Sequence, residues 1–233
     1  VSTWGILGLV SRDKNLKSIE DFKNKEIIVP FRADMPDIVM QALIKKSGLD
    51  IKNDFKLQYV ATPVDAMQML ILRRADHALL AEPAISIALR KTGSFPVKLI
   101  APDLYRSNNL QEEWGRLYKI EAKIPQAGLA IIGDTNGKEE LISKVLAEYD
   151  KSLAWYKNNK EEASKLVVKT LPMLEEKGLA DSIEYVRFEN ISAIKSKKDL
   201  EFFFDILMQN DSKLIGGKLP NEDFYYKWRI FKK

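Results

Sequence analysis

A chain of 233 residues, 45% hydrophobic and 30% charged, can bury a full core, and this balance excludes a disordered or a membrane-spanning protein. The 37 Lys and Arg against 33 Asp and Glu leave a formal charge of +4 spread along the sequence, with no basic block that would point to a nucleic-acid partner. With no cysteine and one histidine, disulfides and a cysteine nucleophile are excluded, and neither a thiolate nor a histidine-based metal site is expected.

In chain order, Val1 to Val10 reads as an apolar strand and Ser18 to Phe22 as a short helical turn. The chain opens on that strand without an initiator methionine, so a segment upstream of Val1 is expected. From Lys25 to Ala101 the pattern is strand, helix, strand, helix, strand, helix, strand, which predicts a parallel α/β lobe. Glu26 to Phe31 is a short apolar run of strand-forming residues. Asp34-Met35-Pro36-Asp37 then supplies an N-cap acid, a first-turn proline and a second acid ahead of Ile38, Val39, Leu43 and Ile44, and Gly48 stops the helix. Lys56 to Ala61 is the next strand, after which Thr62-Pro63-Val64-Asp65 repeats the capping device before Met67, Leu70 and Ile71. His77 to Ala81 leads through Glu82-Pro83 into a helix reaching Lys91, and Pro96 to Ala101 is expected to close the lobe as a strand.

Pro102 to Lys123 reads as polar and irregular, and Ile124 to Ile132 as a returning strand, so two apolar strands flank the lobe as paired crossovers between two lobes do. The remainder is helical. Lys138 to Asn158 carries the apolar face Leu141, Val145, Leu146, Tyr149, Leu153 and Tyr156. Glu161 to Thr170 follows, Pro172 breaks the helix, and Met173 to Leu179 makes another turn or two. Lys197 to Met208 is amphipathic, Gly216-Gly217 is a turn, and Pro220 to Asp223 caps a last helix. Trp155, Tyr156, Phe202, Phe203 and Phe204 are expected in the core.

In parallel α/β sheets, ligands sit where strand C-termini meet helix N-termini. Asp34-Met35-Pro36 could present backbone N–H groups to a carboxylate, sulfonate or phosphate, the alternative being ordinary capping. Arg32 could pair with an anion, or be one more exposed loop arginine. Thr62 heads the second helix. Glu82, ahead of Pro83, could accept from an amine or ring N–H, or cap its own helix. Trp4 could stack on a ligand while Gly5 lets backbone approach, with core packing as the alternative for Trp4. Gln126 on the return strand offers hydrogen bonds, or is a strand-edge residue. His77, with no second histidine to share a metal, reads as structural, and no catalytic pair stands at a persuasive spacing.

Thr3-Trp4-Gly5 within the opening strand, Ile28 to Asp37, Ala75-Asp76 leading to Ala81-Glu82-Pro83-Ala84, Ile124-Pro125-Gln126-Ala127-Gly128 and Leu219 to Tyr225 together resemble the substrate-binding proteins of bacterial ABC importers. The resemblance covers most of the chain and falls in the group related to nitrate, sulfonate, taurine and thiamine-pyrimidine binding proteins. It implies a two-lobed α/β fold of the type II periplasmic-binding-protein kind, with two crossover strands and the N-terminal part of lobe 1 missing. Residues 1–24 would be the first crossover strand and a remnant of lobe 1, 25–122 lobe 2, and 123–233 the return crossover strand and the helical part of lobe 1.

The implied function is capture of a small organic or anionic solute in the cleft by Trp4, Gly5, Arg32, Asp34, Met35, Pro36, Thr62, Glu82, Pro83 and Gln126, without cofactor, metal or catalysis. Delivery would be to an ABC permease and its ATPase, in the periplasm or at the extracellular face of the cytoplasmic membrane, with a lipoprotein-type tether in the missing N-terminus. Sulfonate binders of this group offer small hydroxyl residues where Asp34 stands, so Asp34 points instead to a cationic or zwitterionic solute. Two other classes remain open. One is an enzyme on the same scaffold, either a chorismate-type lyase using Asp34 or Glu82 as base, or a pyrimidine-precursor synthase, whose cysteine-rich motif this chain lacks. The other is a sensing module fused to a regulator.

Overall fold

The opening apolar run does not remain one strand. Gly5 takes a φ of +59°, the chain turns there, and β1 (Thr3–Trp4) and β2 (Leu7–Ser11) enter different sheets. The computed structural model describes residues 1–227. After a 3-10 turn at Glu20–Phe22 the expected units follow: β3 (Glu26–Pro30), α1 (Met35–Lys46), α2 (Ile51–Asp54), β4 (Lys56–Val60), α3 (Pro63–Ile71), β5 (His77–Ala81) and α4 (Ala84–Gly93). The capping signals act as read. The Asp34 carboxylate accepts the Met35 N–H, and Thr62 with Asp65 forms a reciprocal capping box.

Three expectations are corrected downstream. Pro96 to Ala101 is not a strand: Val97–Ile100 forms the short helix α5 on the surface, because the sheet edge beside β2 is taken by another segment. That segment is β6 (Tyr105–Asn109), inside the stretch read as irregular, and it runs straight into α6 (Leu110–Tyr118), capped by the Asn109 side chain. The return strand is only β7 (Pro125–Ala127), and the residues from Gly128 to Ile132 are exposed and unpaired. Then come α7 (Glu139–Asn158), α8 (Lys160–Thr170), α9 (Glu176–Ser182), β8 (Arg187–Phe188) and α10 (Lys197–Asn210). The last helix expected after Pro220 begins as a 3-10 turn, Glu222–Phe224, and any continuation past residue 227 lies outside the described residues.

The larger sheet has the order β4-β3-β5-β2-β6, and the smaller β7-β1-β8. Strands β4, β3 and β5 are parallel, but β2 pairs antiparallel with both β5 and β6, so the lobe is mixed rather than parallel. Side chains alternate across the larger sheet. Leu7, Leu9, Ile27, Val29 and Leu79 face α1, α6 and α10, while Val10, Ile28, Ala78 and Leu80 face α3 and α4. On the first face Trp114 and Tyr118 of α6 meet Phe202 and Phe203 of α10, with Trp114 and Phe202 edge to face at 5.5 Å. On the second, α9 lies on α4 so closely that a Cβ on Gly178 would stand 2.7 Å from Ile87 Cγ1 and 2.8 Å from Ile87 Cα. Helices from the last hundred residues thus clad both faces of the larger sheet. Helix α7 behaves differently, since not one of its residues is fully buried, and Trp155, expected in the core, is 41% exposed.

His77, the only histidine, is buried at the start of β5, with Nδ1 2.9 Å from Ser11 Oγ and its ring edge to face with Phe22. Burial lowers its pKa, so on acidification the unfolded chain binds a proton that the native state refuses. Its contribution is complete above the ordinary histidine pKa of about 6.5 and declines as pH falls below it. Urea unfolding between about pH 7 and pH 5 should show stability falling with pH, and the slope should flatten in His77→Gln; an identical slope in the variant would refute the assignment. Gly178→Ala should lose about 1–3 kcal/mol by separating α9 from α4. Gly93→Ala, where a Cβ meets nothing within 4 Å, should stay within about 0.5 kcal/mol of wild type, and equal losses at both positions would exclude the contact as the cause.

Candidate functional site

Parallel pairing sets the C-terminal ends of β4, β3 and β5 side by side, so the starts of α3, α1 and α4 form one edge. The Phe31 N–H donates to the Val60 carbonyl at 3.2 Å, joining the Arg32 and Thr62 loops, and the Glu82 N–H donates to the Ile6 carbonyl at 2.9 Å, bringing the Gly5 turn to the same edge. Thr62, the run Arg32 to Pro36, Glu82-Pro83 and Gly5 are therefore brought together. Gln126 is not among them.

At the centre of this edge, Phe31 and Ala33 both adopt positive φ, +57° and +62°. A buried carboxylate braces the loop at Ala33: Asp37 accepts the Ala33 N–H at 2.8 Å, the Gln41 amide at 2.8 Å and the Tyr59 hydroxyl at 3.2 Å. Burial, then the charge of Asp37, pushes the Tyr59 pKa up to about 12, so the hydroxyl stays a donor. The Arg32 guanidinium lies 5.1 Å from the Tyr59 ring centre and remains exposed, and Phe31 beside it is 41% exposed. Asp37 and Tyr59 escaped the sequence reading; the signal was the Asp37/Gln41 spacing of four on one helix face. The aromatic ring free for a solute at this edge is Phe31, which leaves the strand because β3 ends at Pro30.

The remaining candidates have partners of their own. Asp34 Oδ1 accepts the Met35 N–H at 2.7 Å, Met35 packs on the core, and Pro36 fills the first turn. The Thr62 hydroxyl donates to Asp65 at 2.7 Å and accepts the Asp65 N–H at 3.2 Å. Glu82 is buried; it accepts the Ser86 N–H at 3.2 Å and hydroxyl at 2.8 Å, and ion-pairs with Arg106 from β6. Arg106 also donates to Ser86 Oγ at 2.6 Å and lies 3.5 Å from the centre of the Tyr185 ring. This cluster borders a hollow of about 260 Å³ lined by Gly5, Ile6, Gly8, Asn109 and Glu112. Arg106 was missed because its strand was read as irregular.

Trp4 is fully buried with its Nε1 donating to the Glu189 carbonyl at 3.3 Å, so its ring is core to the smaller sheet. A Cβ on Gly5 would stand 2.2 Å from the Gln111 side-chain carbon Cδ, and Gln111 accepts the Ile124 N–H at 3.1 Å; the need for glycine there is met by Gln111. The Gln126 amide reaches a different space. Among the described residues its oxygen and nitrogen are buried without partners, beside a cavity of about 630 Å³ between β7, α7 and α10, walled by Leu146, Phe203, Phe204 and Phe224.

One electrostatic property unites this edge. At the starts of α1 and α4 the chain's own carboxylate, Asp34 or Glu82, already accepts a backbone N–H of the helix, and at α3 Asp65 accepts the N–H of the N-cap Thr62, so each start carries a negative charge that opposes a bare anion. Arg32 is the exposed cation among them.

No family model and no curated protein sequence matches this chain. Solved structures do. An ABC transporter structure from Parabacteroides distasonis superposes with a TM-score of 0.70 at 21% identity, covering 98% of this chain and 72% of that one. The periplasmic aliphatic sulphonate binding protein of Escherichia coli gives 0.65 at 17% identity over 97% of this chain and 69% of its own. The ligand-binding component of an ABC-type import system from Staphylococcus aureus, solved with zinc bound, gives 0.61 at 13% identity over 96% and 69%. The fold is thus the mixed α/β architecture of the periplasmic binding proteins.

Removing Arg106 would leave Glu82 charged and buried, so Arg106→Gln should cost about 3 kcal/mol, and Glu82→Gln in the same chain should recover most of it. A double-mutant cycle by urea unfolding measures the coupling; additive losses would mean the pair does not act as one unit.

Proposed function

We propose that this chain is the solute-binding component of an ABC import system, capturing a small solute at the edge where Phe31, Arg32, Asp34, Thr62 and Glu82 line up and delivering it to a permease and its ATPase. The observation that carries this reading is the superposition of 98% of the chain on an ABC transporter structure, with that edge at the C-terminal ends of β4, β3 and β5. The site would lie outside the cytoplasm, in the periplasm or at the extracellular face of the cytoplasmic membrane. Because the helix starts carry their own carboxylates while Arg32 is exposed, the solute class favoured is a zwitterionic or amine-bearing organic molecule, its acidic group on Arg32 and its donor on Asp34, rather than nitrate or a simple sulfonate.

The same reading gives the smaller sheet its place in a second lobe: residues 1–24 lead out of it and lend β2 to the larger lobe, 25–122 supply the other four strands of that lobe, and the chain from 123 returns to the smaller sheet at β7 before α9 and α10 pack back on the larger one. The N-terminal part of the second lobe would be further chain, as the exposed α7 stripe and the 630 Å³ cavity favour. The two carboxylates that a lyase would use as base favour binding over catalysis, since Glu82 is engaged by Arg106 and Ser86 and Asp34 by its helix start.

A thermal-shift panel on the intact gene product, with amino acids, betaines, thiamine and its pyrimidine precursors, taurine, aliphatic sulfonates, nitrate and chorismate, tests the proposal. A solute at 100 times its Kd should stabilise the protein by about 2.7 kcal/mol and be recovered unchanged. Arg32→Ala and Phe31→Ala should each weaken that binding roughly tenfold with little change in unliganded stability. Turnover of a solute would replace the reading with an enzyme, and undiminished affinity in both variants would move the site elsewhere.

A further inference from the structure

Helices α3 and α4 start at the solute edge, so their C-terminal ends lie at the opposite pole of the five-stranded lobe. That pole is apolar and outward-facing. Phe95 is 81% exposed, Leu99 74%, Ile100 70% and Leu72, at the end of α3, 58%. These side chains form one surface. The Lys98 N–H bonds to the Ser94 carbonyl, which sets Phe95 and Leu99 one turn apart, and Arg73 donates to the Ile100 carbonyl at 3.5 Å. Beneath them the Arg12 guanidinium donates to the carbonyls of Pro102 and Leu70, tying the α5 segment to the end of α3. The lobe's two cores are complete without this segment.

The surroundings are cationic. Arg73, Arg74, Lys91 and Lys98 are exposed around the apolar cluster. The acids in the same stretches are Asp76, which faces Arg12 at 3.8 Å, and Asp103, which accepts the Tyr105 hydroxyl at 3.3 Å. The large apolar side chains stand outward, 58–81% exposed. Ringed by Lys and Arg, they fit the boundary between lipid headgroups and acyl chains, where apolar insertion and attraction to anionic lipid act together. No helix among the described residues is long and apolar enough to cross a membrane, so such contact is peripheral.

We propose that this pole docks on an anionic bilayer surface, with Leu72, Phe95, Leu99 and Ile100 entering the interface and Arg73, Arg74, Lys91 and Lys98 facing lipid phosphates. The docking is independent of the solute reading. Its test is flotation of the intact protein with vesicles of pure phosphatidylcholine and of equimolar phosphatidylcholine and phosphatidylglycerol. The protein should float with the anionic vesicles and less so at high salt. Phe95→Ser with Leu99→Ser should reduce that partition roughly tenfold or more, and Arg73→Gln with Lys98→Gln should reduce it on anionic vesicles alone, both pairs keeping the wild-type melting temperature. Equal recovery from neutral and anionic vesicles, no flotation, or undiminished flotation of the folded variants overturns the proposal, as does a face that binds an acidic protein but no lipid.

Discussion

Everything in the larger lobe depends on β2 lying between β5 and β6. It is the strand that enters from the smaller sheet, it is wholly buried, and it pairs antiparallel on both sides. Residues 25–122 therefore lack a central strand of their own, and the lobe closes only when Leu7 to Ser11 has crossed the Gly5 turn and filled the gap. Once β2 is seated, Leu7 lies beside Ala81, the Glu82 N–H finds the Ile6 carbonyl, and the start of α4 is fixed relative to the crossover. The geometry of the edge where α3, α1 and α4 begin is thus a consequence of strand order before it is a matter of side chains.

Along that edge the polar groups are arranged so that almost nothing buried lacks a partner. Asp37 answers three donors, one of them the N–H of Ala33, which stands in a left-handed conformation that side chains with a Cβ rarely adopt. Glu82 and Arg106 neutralise each other between β5 and β6, and Tyr185, carried in from the far end of the chain, covers the guanidinium. The Tyr185 contact and the bidentate Arg90–Asp181 pair, at 2.7 Å on both arms, hang the α9 segment on α4. A shift of that segment relative to the lobe would have to break both, which couples the C-terminal helices to the crossover end of the edge.

The βα units from Glu26 to Ala81 were legible because their signals are local: short apolar runs, a cap three residues ahead of an acid, a proline in the first turn. What failed needed knowledge of neighbours. Tyr105 to Asn109 is polar enough to read as loop, yet it is a strand because β2 offers an edge and only one of its faces needs cover. Phe95 to Ile100 is apolar enough to read as strand, yet with that edge occupied it stays on the surface. Trp4, Gly5 and Glu82 were singled out by residue type, and the structure gives each an internal partner in Glu189, Gln111 and Arg106, all distant in sequence. Asp34 and Thr62 were legible as caps, since a cap's partner lies within three residues.

Among the described residues two apolar surfaces remain uncovered, and their surroundings separate what they ask for. The hollow beside α7 is walled by Phe203, Phe204 and Leu146, and contains a Gln126 amide with neither atom partnered by a described residue. A buried amide in that state costs about 1–3 kcal/mol, a penalty that backbone donors and acceptors of further chain would remove while covering the apolar stripe of α7. The turn at Phe95 to Ile100 exposes Phe95, Leu99 and Ile100, has its Ile100 carbonyl bonded by Arg73, and is flanked by the exposed cations Arg73, Arg74, Lys91 and Lys98. More polypeptide packed there would have to desolvate the cations without offering acids, whereas a lipid interface leaves them hydrated and opposite phosphate. Exposed hydrophobic area alone does not distinguish the two surfaces; the charges around each, and the polar groups each leaves unsatisfied, do.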